Sequence, residues 1–435
     1  MKSFKVLLFI SAAASLLACS QDDAINNISY DDVIAATPTP IEFGTYLGEQ
    51  AVTRAGTAGN IDDAQDLATN KGGVGVFAYY TQNGNYPASN TTLAPNFMYN
   101  QHVTGTDAAT PAWSYTPVKY WPNEYGTDAA STNTDKLSFF AYAPYVEVTG
   151  STGVPTSGST TEGITALTKN SDNGDPKVSY TFTTDPAKSV DLMYGVAASA
   201  ITDGPATNNI AEGNALIDIT KQSTNGEIKF KFKHALARVE LQVVGAFDVT
   251  NSSTDYGTKG TETKITVKSV KITGSWAPSD QLNLKDGAWS GATAASNVLT
   301  IDSSNALNTD IADPATDPAT YGAITNDGVT QIQAPVIAKD ESGNAQYLMF
   351  IPSASTNISG VEIVYYVNTK DENLADGMSR VENNITKNLD TALTLDAGKA
   401  YKLVLTLGMT SVKLNAQVAT WDDATTKEVW LPVNN

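Results

Sequence analysis

IKFKFKHALARVELQVVG, residues 228–245, is the stretch on which the fold turns. In its first half Ile228, Phe230 and Phe232 alternate with lysines, and in its second Ala237, Val239, Leu241 and Val243 alternate with polar residues. Period-two alternation marks a strand that buries one face. The apolar positions pass from even to odd across Lys233–Leu236, and a one-residue offset turns every side chain to the opposite face, so one sheet face cannot bury both halves. The spacing predicts two strands serving two cores, with a domain boundary between residues 233 and 234.

Working outward, the same texture recurs on both sides. GVGVFAYY (73–80), KLSFFAYAPY (136–145), KVSYTFTT (177–184) and DLMYGVAAS (191–199) precede the stretch. KITVKSVKITG (264–274), YLMFIPS (347–353), GVEIVYYVN (360–368), AYKLVLTLG (400–408) and VKLNAQVATW (412–421) come after it. Each is aromatic or β-branched and bounded by turn residues. Strands without intervening helical periodicity predict an all-β chain of sandwiches rather than an α/β sheet, and 435 residues suffice for two cored domains. Segments near 150–175 and 290–330 are poor in apolar residues and read as long surface loops. A short strand is expected earlier, where Ile41, Phe43, Thr45 and Leu47 share one face and Glu42, Gly44 and Tyr46 the other.

At the N-terminus, MKSFKVLLFISAAASLLAC (1–19) has a basic start, a short apolar run and small residues before the chain's one cysteine, which reads as an export signal rather than a membrane span. Leu16-Leu17-Ala18-Cys19 resembles the lipobox of bacterial lipoproteins, so Cys19 is the expected lipid acceptor and first mature residue. Ser20-Gln21-Asp22-Asp23 resembles an acidic surface-export signal. Residues 20–40 are polar, end in two prolines and read as a tether. Arg54 is the sole basic residue between Cys19 and Lys71.

Chemistry has few parts here. Lys and Arg total 27 against 46 acidic residues, a net charge of −19, which disfavours nucleic acid and anionic lipid as partners. With no cysteine beyond Cys19, no disulfide is expected. The two histidines, His102 and His234, leave almost no material for a nucleophile-His device. His234 reads as structural and His102 as a loop residue. Gly72-Gly73-Val74-Gly75 leads into a strand, not the helix N-terminus that phosphate binding requires. Asp310, Asp313 and Asp317 read as a solvated loop without EF-hand spacing. Carboxylates are too numerous for counting to dismiss a glycosidase pair. Trp113, Tyr115, Tyr120, Trp121 and Tyr125 form an aromatic group better suited to core packing than to sugar stacking. No catalytic residue, metal site or cofactor is expected.

Taken together, GVGVFAYY, NFMYNQHVT (96–104), WSYTPVKYWPN (113–123) leading into KLSFFAYAPY, FKFKHALARVELQV and AYKLVLTLG followed by a strand ending at Trp421 resemble the fimbrillin family of Bacteroidales-type pili. The resemblance implies two tandem transthyretin-like Greek-key β-sandwich domains, over 55–233 and 234–435, in a lipoprotein with its signal at 1–18 and its tether and removable strand at 19–54. It also implies that an arginine-specific surface protease cuts between Arg54 and Ala55, within Val52-Thr53-Arg54-Ala55, opening a groove that the C-terminal strand of the next subunit fills. Ile41, Phe43 and Leu47 of the leaving strand have counterparts of the same period in Val429, Leu431 and Val433 of the tail EVWLPVNN. Pro432 must then sit where no ladder donor is needed. The expected partners are further copies or other pilus subunits, with the membrane touched through the lipid alone until processing places the subunit in a surface fimbrium. The alternative is a pilus-tip or free adhesin for host glycan or protein; a surface polysaccharide-degrading enzyme is a third reading.

Replacing the only thiol tests the start of this pathway. Cys19→Ala is expected to accumulate unprocessed precursor and to abolish metabolic lipid labelling; normal labelling of that variant would refute the assignment.

Overall fold

Residues 228–245 do divide between two sheets. The computed structural model describes residues 39–46, 61, 63–69, 72–122, 135–156, 163–202, 209–224, 226–245, 263–312, 333–339, 346–370, 373–375, 378–408 and 412–421. Among them are β1 (Glu42–Tyr46), β2 (Val74–Gln82), β3 (Met98–Gly105), β4 (Trp113–Ser114), β5 (Lys136–Ala143), β6 (Gly163–Leu167), β7 (Lys177–Thr181), β8 (Met193–Ala197), β9 (Leu216–Ile219) and β10 (Glu227–His234). After the parity change come β11 (Ala237–Gly245), β12 (Thr263–Trp276), β13 (Ser279–Asn283), β14 (Ala295–Asp302), β15 (Gln333–Pro335), β16 (Leu348–Phe350), β17 (Asn357–Lys370), β18 (Met378–Thr394), β19 (Lys399–Leu407) and β20 (Val412–Thr420). Two short α-helices, α1 (Ala64–Thr69) and α2 (Lys221–Thr224), and a 3-10 turn at Pro186–Lys188 complete the regular structure of the described residues. None of the described helices is long and apolar enough to cross a membrane. The molecule is all-β.

An eight-stranded sheet runs β1-β10-β8-β5-β2-β3-β4, with β9 also pairing β5. A second sheet runs β15-β11-β19-β20 with β16 on β11, a third β14-β12-β17-β18, and a fourth β13-β7-β6. The inward residues Val239, Leu241 and Val243 of β11 and Leu403 and Leu405 of β19 meet Ile265, Val270 and Ile272 of β12 and Ile363 and Tyr365 of β17 in one core. The second and third sheets thus form a sandwich.

The large sheet is buried on both faces. In β5 every residue after Lys136 is buried, and β2 is buried from Val74 to Tyr79. Val76, Ala78, Phe139 and Ala141 enter one core together with β1 and β10. Phe77, Tyr79, Phe140 and Tyr142 enter another, which they share with β6, β7 and β13 and with Leu236, Tyr347, Met349, Ile351 and Trp421 from the C-terminal half. Two-sided burial is why GVGVFAYY and KLSFFAYA read as continuous apolar runs rather than alternations. Gly75 stands opposite Tyr142 in the ladder, and a Cβ there would lie 2.2 Å from the tyrosine ring. Only glycine leaves room for that ring.

Several expectations need correction. The stretch 150–175 holds β6, and 290–330 holds β14, whose Leu299 and Ile301 are buried. Both are edge strands, and a strand with one flank and one face in water carries few apolar residues. β18 gives little apolar signal for the same reason: among the described strands its seventeen residues pair with β17, Ile385 and Leu389 are just partly buried against the core, and Leu393 near its end is buried. His102 lies within β3, not a loop. Its ring stacks on Tyr145 at 3.8 Å and its Nε2 is 2.6 Å from the Gly72 carbonyl. β13 comes after residue 234 in the chain yet pairs with β7, so one hairpin of the C-terminal half completes a sheet of the N-terminal half.

Buried phenols make this fold sensitive to alkali. Burial pushes Tyr365 and Tyr401 up to about 12 and raises Tyr79, Tyr86, Tyr142 and Tyr180 as well. In the unfolded chain these groups ionise near ~10. Their contribution to stability is therefore complete below that pH and is lost as pH rises toward the folded-state values. Phenolate absorbance and circular dichroism should change together between pH ~10 and ~12; full ionisation near ~10 with the strand spectrum intact would contradict this.

Candidate functional site

The site is the edge where β1 closes the core of the eight-stranded sheet. β1 ends the sheet path and pairs with β10 in parallel, Phe43 beside Ile228 and Thr45 beside Phe230. The other ladders of this sheet are antiparallel. A parallel neighbour cannot arrive through a tight hairpin, so β1 is an added strand.

Two side chains hold it. Ile41 and Phe43 are buried, and the Phe43 ring lies 5.2 Å from Tyr115, 6.1 Å from Phe139 and 6.2 Å from Phe230. Edge-on and stacked contacts of this kind add to the area they bury. The segment Tyr115–Trp121 covers the strand's entry. Ile41 donates its N–H to the Lys119 carbonyl at 2.9 Å, and the Tyr115 hydroxyl donates to the Ile41 carbonyl at 2.9 Å. Burial lifts that phenol above its ordinary range, which keeps it a donor. The indole N–H of Trp121 donates to the Gly226 carbonyl at 3.0 Å, and Glu42 donates its N–H to the same carbonyl at 3.2 Å. Thr45 also faces inward, but its hydroxyl is buried without a hydrogen-bond partner among the described residues. Glu42 is exposed on the outer face.

On the far side of residues 47–60 the chain is anchored by different contacts. Ile61 is buried and donates its N–H to Asp191 Oδ2 at 2.9 Å; the other carboxylate oxygen is 2.9 Å from His234 Nδ1. The His234 ring stacks on Trp421 at 4.0 Å. Asp63 caps α1 by accepting the Asp66 N–H at 2.7 Å, and Leu67 of that helix is fully buried in the core that β1 completes. β1 and the Ile61–Leu67 segment therefore share one core but are tied down by different hydrogen bonds.

Of the residues expected from sequence to act, Ile41 and Phe43 lie at this site. Cys19, Leu47, Arg54, Ala55, Val429, Leu431 and Val433 lie outside the described residues, as do Tyr125, Asp313 and Asp317. Of the aromatic group, Trp121 is buried and Trp113 and Tyr115 pack against the same core, so these are the lid of the strand rather than a sugar platform; Tyr120 is half exposed and bridges to Pro40. The roles of Tyr115, Asp191 and Thr45 were not expected. The aromatic spacing pointed to a cluster but could not say what it covered. Among the described residues no group of three His, Cys, Asp or Glu side chains is placed to hold a metal ion.

No protein-family model matches the chain. The fimbrium subunit Fim1C of Phocaeicola vulgatus is 27% identical over 269 residues, which cover 62% of this chain and 56% of that protein. The match thus spans little more than half of the relative's length. A crystal structure of a fimbrial protein from Bacteroides vulgatus superposes with a TM-score of 0.58 at 21% identity, covering 88% of this chain and 99% of the other. The chain has the fold of a fimbrial protein, in line with its resemblance to Bacteroidales fimbrillins.

Loss of the central anchor should loosen this edge. Phe43→Ala is expected to lower unfolding stability by about 3 kcal/mol, whereas Glu42→Ala on the outer face should stay within ~0.5 kcal/mol. Urea titration measures both; equal effects would mean that β1 is not a core strand.

Proposed function

We propose that this protein is a structural pilus subunit, exported as a lipoprotein on Cys19, cleaved between Arg54 and Ala55 by an arginine-specific surface protease, and polymerised by strand exchange. Its placement passes from a lipid anchor at the outer membrane to a fimbrium on the cell surface, and it needs neither a cofactor nor catalysis. The carrying observation is that β1 is a parallel edge strand whose Ile41 and Phe43 complete a core, while Ile61 and α1, which pack on the same core, have hydrogen bonds of their own. A cut at Arg54 then releases the strand while Ile61 and α1 stay in place. The groove left behind would be lined by Phe139 and Phe230, an apolar slot that another chain can fill by strand addition.

The incoming strand is the tail of a neighbouring subunit, with Val429, Leu431 and Val433 at period two on its inward face, filling the slot vacated by the strand that carries Ile41, Phe43 and Leu47. Burying each such side chain contributes roughly 1.5–3 kcal/mol. The halves divided near residue 234 act as two tandem transthyretin-like sandwiches, one receiving a strand and the other donating one.

Arg54→Ala is expected to retain a lipidated monomer. Deleting residues 428–435 should leave a folded protein that accepts a donor but cannot give one, so its co-expression with wild type should shorten fibres under electron microscopy. Unfolding of the truncated monomer, together with an absence of wild-type fibres, would instead make the tail an ordinary core strand and favour a free adhesin.

A further inference from the structure

The resident strand carries a flaw on its inward face. Thr45 lies on the inward face of β1, directly beside Phe230 in the ladder. Its hydroxyl is buried and finds no partner among the described residues. A hydroxyl stripped of water without a compensating hydrogen bond opposes burial, and it does so in the strand that has to leave. Two features of the setting sharpen this. Among the described residues, the parallel ladder with β10 runs from Glu42 to Tyr46. Phe230 presents a hydrocarbon ring, which offers the Thr45 hydroxyl no conventional hydrogen-bond donor or acceptor.

The C-terminal tail has no such residue at its inward positions. EVWLPVNN places Val429, Leu431 and Val433 at period two. Each register that keeps these three toward the core while spanning the Thr45 position sets a hydrocarbon side chain there. The two competitors therefore differ in kind at that point and not only in length.

We propose that Thr45 is the residue that makes β1 the weaker occupant of its own groove, biasing the exchange toward the tail of a second copy of this chain. This rests on the strand-exchange function above and adds its direction. With Thr45 in it, β1 holds the precursor closed through Ile41 and Phe43 yet is displaced once the chain is cut. Valine has nearly the shape of threonine and lacks the hydroxyl, so Thr45→Val removes the flaw while keeping the fit against Phe230. Serine keeps the hydroxyl and serves as the control.

Two measurements on the full-length chain separate the possible outcomes. In the uncut precursor, hydrogen exchange reports local opening of β1. Thr45→Val should slow exchange of the Glu42–Tyr46 amides by roughly tenfold or more, leave β17 unchanged, and not be matched by Thr45→Ser. Exchange equal to wild type overturns the proposal. In protein nicked with an arginine-specific protease, a synthetic peptide of residues 427–435 should replace β1, and roughly tenfold more slowly in Thr45→Val. Replacement at equal rates in the two proteins also overturns it. If valine slows hydrogen exchange but the peptide enters neither protein, the account of Thr45 holds and strand exchange by this tail is refuted.

Discussion

The structure depends on the antiparallel pair β2 and β5, which has no solvent face. Because side chains alternate along a strand, Phe77, Tyr79, Phe140 and Tyr142 must point one way and Val76, Ala78, Phe139 and Ala141 the other. Both directions are occupied by protein. One side meets the three-stranded sheet and residues of the C-terminal half, and the other meets β1, β10 and α1. The pair thereby joins the two halves through an apolar contact and makes the N-terminal core depend on a strand at its edge. Removing β1 leaves the first contact intact, since its residues belong only to the second.

Polar groups placed inside this core mark its junctions. Asp191 is buried with both carboxylate oxygens in use, one taken by the Ile61 N–H and one by His234 Nδ1. His234 in turn stacks on Trp421, and Arg238 lies over the rings of both Trp421 and Tyr347. A buried carboxylate is tolerated only when its oxygens are satisfied, so the chain is pinned here at three distant points. They are the segment after the expected cut, the crossing between sheets and the end of β20. The same rule makes Thr45 conspicuous, because its hydroxyl lacks a partner among the described residues where Asp191 has two.

Edge strands explain most of what sequence patterns missed. β14 and β18 flank the third sheet, where water reaches one side of each, and their composition is nearly that of a loop. β13 is a different case. Its pairing with β7 bridges about a hundred residues of chain, and no local pattern specifies such a partner. His102 obeyed the same logic, since strand formation there is imposed by pairing with β2 rather than by its own neighbours.

By itself the sequence determined the class of fold, the central strands with strong apolar patterns, and the change of sheet after His234, because alternation and parity are local properties that any folded form must respect. It also marked Ile41 and Phe43 as inward-facing and the aromatic residues 113–121 as packing material. The tertiary structure alone decided that β1 lies parallel to β10 at a sheet edge, that Tyr115 and Trp121 close over it, and that Asp191 links Ile61 to His234. Those facts depend on which distant segments become neighbours, and that choice is made by the joint burial of surfaces that no single stretch of chain contains.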